Sequence, residues 1–149
     1  MFDRVKAALD ADPGAKIALL AGSTHLLKDD MDAHAPNPGG AGPGGGNGRS
    51  LGHRVANELA RGPVLSFWFL HGQGRSANPW NRDLIAQPGT MNARLLAEEP
   101  APVVVPIEKD AGRDRITQMH NLVLECDLGR QVDVVVFVPE VSPLEEPDP

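Results

Sequence analysis

Apolar and polar positions along the chain fall into short blocks of differing period. Residues 2–11 place Phe2, Val5, Ala8 and Leu9 on one helical face, and Asp12-Pro13-Gly14 stops that helix. Lys16–Leu27, KIALLAGSTHLL, opens with a continuous apolar run. Such a run predicts a fully buried strand over 16–22. Ser50–Arg61 carries Leu51, Val55 and Leu59 at four-residue spacing, a helix with Ser50 as its N-cap and Gly62-Pro63 as its stop. Val64–His71, VLSFWFLH, predicts a second strand covered on both faces, with Phe67, Trp68 and Phe69 in the core. Gly72–Gly89 reads as a long loop. Thr90 caps a short helix with Met91, Leu95 and Leu96 inward, and Val103–Ile107 predicts a third strand between prolines. Arg113–Asp127 spaces Ile116, Met119, Leu122 and Val123 like a helix, although NLVLE also fits an extended segment. Val132–Val138 predicts a fourth strand. The prolines of the irregular tail 139–149 continue neither helix nor sheet.

Strands that alternate with helices imply right-handed crossovers. The expected fold is α/β: a mainly parallel sheet of about four strands with helices on both faces. A length of 149 residues suits a single domain, 1–149, and the pattern also fits half of a larger one. Glycine and proline are frequent because many of them fall in one place. Lys28–Arg49 holds almost nothing apolar to offset the entropy of ordering, so 36–49 is expected to be a flexible Gly/Pro-rich insertion. The net charge of −6 argues against binding to nucleic acid or to an anionic membrane surface. No apolar run approaches the roughly 18 residues of a membrane helix. The N-terminus has acids and no signal-peptide apolar region. The single Cys126 excludes an internal disulfide framework and a thiolate zinc cluster, and fits a reducing, cytoplasmic setting.

Candidate chemistry concentrates after the first two strands. In open α/β sheets ligands gather outside the carboxyl ends of the strands. Gly22-Ser23-Thr24-His25 stands at the first such end. An imidazole is the usual general base near neutral pH, and the hydroxyls of Ser23 and Thr24 can bind a substrate or orient the ring. His71 ends the second strand, and Arg75 in the following loop can clamp an anionic group. The glycine tract that ends in Gly48-Arg49-Ser50 lacks the strand and the lysine of a phosphate loop. Gly48-Arg49-Ser50-Leu51-Gly52 matches G-x-S-x-G, which would make Ser50 a serine-hydrolase nucleophile. That motif needs a strand before it, and here a glycine tract stands there. His25, Asp29, Asp30, Asp32 and His34 have no period that aims them at one metal, so a solvated acidic loop explains them.

Four stretches, LLAGSTHLLK at 19–28, SLGHRVANEL at 50–59, VLSFWFLHGQG at 64–74 and VDVVVFVPEVSPL at 132–144, resemble the erythromycin esterase-like family. That family stands in a broader group with ChaN-like haem-binding and TraB-like proteins. The resemblance corresponds to the later half of the family's domain. It implies hydrolysis of an ester by histidines and a glutamate that activate water. The family's turn has two histidines three residues apart; His25 matches the second, and Gly22 replaces the first. The family's earlier histidine and glutamate would lie upstream of Met1. The G-x-x-H turn itself is closer to the ChaN-like and TraB-like pattern. Three functions are therefore expected to compete. One is an ester hydrolase with His25 as catalytic base and Ser23, Thr24, His71 and Arg75 around a small-molecule substrate. Another is a non-catalytic, haem-type ligand-binding module. The last is a degenerate half-domain that works as a homo-oligomer or with an N-terminal partner segment.

Overall fold

The computed structural model describes residues 2–19, 28, 51–59, 62–76, 83–118 and 121–142. The backbone gathers into two compact units, Met1–Ser66 with Arg130–Val132, and Phe67–Gly129 with Asp133–Pro149.

In the first unit, helix α1 spans Phe2–Ala11, buries Val5 and carries a Lys6–Asp10 ion pair one turn apart. It stops where the sequence requires. Asp12 N–H donates to Ala8 O at 3.0 Å, and the Asp12 carboxylate accepts from Gly14 N–H at 2.9 Å. Helix α2, Leu51–Arg54, runs on into a π-helical segment, Val55–Leu59. The Arg54 guanidinium lies 3.5 Å from the centre of the Phe2 ring. The buried strand expected over 16–22 is not formed at its described positions. Residues 16–19 have no strand pairing, and Ile17 is 39% exposed. A run of apolar residues measures hydrophobicity; it does not supply the neighbouring strand that a buried strand needs. Residues 20–22, the insertion 36–49 and the tail beyond 142 lie outside the described residues.

The second unit holds the sheets. Among the described residues, β1 (Phe67–Arg75), β2 (Asp83–Ile85), β3 (Val103–Pro106) and β6 (Val134–Val141) form a four-stranded sheet in the order β2-β1-β6-β3. β4 (Arg113–Thr117) and β5 (Val123–Asp127) form a separate antiparallel pair. The larger sheet is mixed, which corrects the mainly parallel expectation. β1 runs parallel to β6, while β1–β2 and β3–β6 are antiparallel. Period-two and continuous apolar patterns look alike in both directions, so they carry no strand polarity.

Three boundaries also move. β1 continues through the expected loop to Arg75, and β2 forms within that loop. The helix expected over Arg113–Asp127 is the β4–β5 pair. Its buried positions Ile116, Leu124 and Cys126 follow period two rather than 3.6. β6 runs past Pro139 to Val141, three residues into the expected tail. Pro139 lies beyond Phe137, the last β6 residue that pairs with β3, so β6 has an open side where a missing N–H is tolerated.

One face of the four-stranded sheet is core. Trp68 and Leu70 of β1 meet Val135 and Phe137 of β6 in register, and all four are buried. Each such side chain contributes about 1.5–3 kcal/mol by leaving water. Helix α3, Met91–Glu98, packs on this face. Thr90 is its N-cap, with the hydroxyl accepting from Ala93 N–H. Helix α4, Leu128–Gln131, is a single turn before β6. The opposite face corrects the expectation of a strand covered on both sides: Phe67 is 50% and Phe69 65% exposed. No helix among the described residues is long and apolar enough to cross a membrane.

Candidate functional site

The strand β1 sorts its residues by alternation. Trp68, Leu70 and Gly72 point into the core, while Phe67, Phe69, His71, Gln73 and Arg75 share the other face. Glycine at 72 is a packing requirement. A Cβ there would stand 2.5 Å from Pro139 O and 2.7 Å from Leu96 Cδ1. At 74 the backbone has φ of +133°, and a Cβ would meet Val141 O at 2.0 Å. The His-Gly-Gln-Gly sequence thus keeps β1 flat against β6 and α3 where His71 sits.

His71 is held through its backbone. Asn92, fully buried on the first turn of α3, donates from Nδ2 to His71 O at 2.8 Å and to Thr117 O at 3.1 Å. Its Oδ1 accepts from Thr117 N–H at 2.7 Å. The Thr117 hydroxyl lies 3.1 Å from the Thr90 hydroxyl and accepts from Gln87 N–H at 2.8 Å. Thr90 in turn donates to Gln87 O at 2.7 Å. One buried amide and two buried hydroxyls therefore tie β1, α3, β4 and the segment after β2 together, with each Asn92 amide atom satisfied. An ion pair between Arg94 and Asp114 joins α3 to β4 a second time, nearer the surface.

The imidazole contrasts with this support. His71 Nε2 is buried and has no hydrogen-bond partner. Burial holds the ring's pKa below its ordinary value of 6.5, since a desolvated imidazolium is costly. At neutral pH the ring is therefore uncharged, and in its Nδ1–H tautomer Nε2 offers a free lone pair. A neutral imidazole with an open nitrogen can take a proton from water, accept a hydrogen bond or ligate a metal. Among the described residues no group of three His, Cys, Asp or Glu side chains could hold a metal ion.

The rest of that face changes character along the strand. Rung by rung, Phe67 is paired with Val134, Phe69 with Val136, His71 with Val138 and Gln73 with Glu140. On the β2 side, Ile85 is opposite Gln73 and Asp83 is opposite Arg75. Arg75 lies on the same face as His71 but four residues on, about 13 Å away at a strand's rise. Arg75 is a strand residue rather than part of a loop, and His71 lies within the strand rather than at its end, which corrects their expected positions. His25, Ser23 and Thr24 lie outside the described residues, as do Ser50 and the histidines and acids of 25–34.

Sequence reasoning passed over Asn92 and Thr117. The signal for Asn92 was present. It falls one turn before Leu96 on the inward side of α3, and a polar residue at an inward helical position needs a buried partner. Thr117 was hidden by the helical spacing assigned to its segment. No family model, curated protein or solved structure matches the chain.

Proposed function

We propose that the protein is an ester-type hydrolase, the activity that the resemblance to the erythromycin esterase-like family implies, and that His71 is a working part of its site. The observation that supports this is the uncharged His71 imidazole with its unpartnered Nε2, on a strand anchored by a fully satisfied buried network. Rigid support behind an unsatisfied group is the usual arrangement of a functional side chain. In this reading Nε2 takes the proton of a water as its oxygen attacks the ester carbonyl carbon. The tetrahedral adduct then collapses, the acyl C–O bond breaks, and the alcohol leaves with the proton returned from His71. Nε2 is shielded at rest, so in this reading the ring turns about Cβ–Cγ to meet a bound ester. The sequence Ser23-Thr24-His25 offers His25 as an alternative base.

The test is a panel of activated esters on the wild type, His71→Gln and His25→Ala. Glutamine keeps a polar group at 71 but moves no proton, so a loss of about 10²-fold or more in kcat is expected for His71→Gln. The base works as neutral imidazole and burial lowers its pKa from 6.5, so wild-type kcat/KM should fall to half only at a pH below 6.5. Equal rates for all three proteins, or no wild-type rate above the blank, would sink the proposal. A second reading, non-catalytic capture of haem, draws on the same nitrogen, because haem iron takes a neutral imidazole. Titration with haemin separates the two: a Soret shift lost in His71→Gln, without ester turnover, favours capture.

A further inference from the structure

We infer that the exposed face of β1 and β6 selects esters with an apolar acyl group. This substrate class rests on the hydrolase reading given above. On one side of His71 the face is a platform of two apolar rungs. Phe69 is paired with Val136, and Val136 with Val104 of β3; the next rung joins Phe67 to Val134. Phe69 and Val104 are 65% and 62% exposed, so their apolar surface meets whatever lies on the sheet. A contiguous apolar patch beside a polar group marks a binding surface more often than a chance exposure.

On the other side of His71 the face is mixed, with the half-exposed Ile85 opposite Gln73 among polar groups. Gln73 is opposite Glu140, and Arg75 is opposite Asp83. Glu140, Asp83 and Arg75 make that end charged. An ester whose carbonyl carbon lies at His71 has its two arms on opposite sides of that carbon. One arm meets only hydrocarbon and the other meets this mixed, charged end. An apolar acyl chain laid on Phe69 and Val136 gains that hydrocarbon contact. Both edges of the sheet are blunted against a further strand. Pro102 precedes the short β3 and Pro106 ends it, and on the far side the Asn121 side chain occupies the outer edge of β2.

The experiment compares kcat/KM for p-nitrophenyl acetate and p-nitrophenyl hexanoate in the wild type, Phe69→Ser and Leu122→Ser. Leu122 is half-exposed in the β4–β5 turn, away from the platform. A methylene that gains contact on an open face is worth about twofold, so over four methylenes the wild type should prefer hexanoate by about 16-fold. Phe69→Ser should bring that ratio close to one, and Leu122→Ser should leave it within about twofold of wild type. A flat wild-type ratio, or one that Phe69→Ser leaves unchanged, overturns the inference while the hydrolase reading stands. Binding of the neutral dye N-phenyl-1-naphthylamine, read by fluorescence, separates the two claims. Dye binding lost in Phe69→Ser, from a wild type that hydrolyses no ester, removes the hydrolase reading and keeps the platform. No dye binding by the wild type removes the platform.

Discussion

Asn92 shows how much one side chain can decide. It satisfies His71 O, Thr117 O and Thr117 N–H from the interior of the second unit. Asn92→Ala leaves those groups without partners in a site closed to water, and each buried orphan costs about 1–3 kcal/mol. A loss of about 3 kcal/mol or more is expected, measured as a lower midpoint in urea at pH 7. Asn92→Asp separates hydrogen bonding from volume. A carboxylate at Nδ2's place presents an acceptor to two carbonyl oxygens, so it should be worse than alanine at pH 7. It should recover part of the loss near pH 4, where protonation returns one donor. If alanine and asparagine gave the same midpoint, the network would not be what holds His71.

At the scale of elements, the edge of β2 is the informative case. β2 has only three residues, and its inner side pairs with β1. Its outer backbone groups go to one side chain: Asn121 Oδ1 accepts from Ile85 N–H at 2.9 Å, and Nδ2 donates to Asp83 O at 3.1 Å. The amide thus stands in for the next strand and keeps an open edge from pairing with another chain. Asn121 has φ of +55°, the left-handed region that asparagine and glycine accept most easily. Asn121→Gly keeps that backbone and removes the cover, so it isolates the edge effect. The expected outcome is a loss of about 1–2 kcal/mol in urea unfolding and a rise in self-association by light scattering. Asn121→Ala should lose more, because it adds strain at φ > 0 to the missing cover. An Asn121→Gly protein that stays monomeric and equally stable would show the edge to be harmless.

For the whole molecule, β6 is the closing element of the second unit. It is the last described strand, and it lies between β1 and β3, so the four-stranded sheet is incomplete until it docks. Long-range pairing of this kind ties the sheet's stability to one cooperative event. Cys126 gives a probe of that event. Its thiol is buried on β5, and burial first, then the neighbouring Asp114 and Asp127 charges, push its pKa up to about 12. At pH 8 almost no thiolate exists in the folded state, and a disulfide reagent reaches the sulfur only when the unit opens. Labelling in buffer should be at least about 10²-fold slower than in urea, and Asn92→Ala should speed it. Fast labelling of the native wild type would mean that β5 opens on its own.

The sequence alone determined features that depend on neighbours a few residues away. The stop of α1 at Asp12-Pro13-Gly14, the Thr90 cap on α3 and the strands around VLSFWFLH, Val103–Pro106 and VDVVVFV all follow from local hydrogen bonding and side-chain period. His71 was also legible as a candidate, because a histidine near the end of an apolar run is conspicuous. Tertiary structure decided what depends on distant residues. Strand direction in the sheet, the β4–β5 pair in place of a helix and the extension of β1 and β6 through glycine and proline all required a partner strand. The state of His71 belongs there too. Its ring is neutral with an open Nε2 because of burial, and its backbone is fixed by Asn92, which lies 21 residues away. Periodicity records which face of a segment avoids water; only the assembled sheet sets what that face meets.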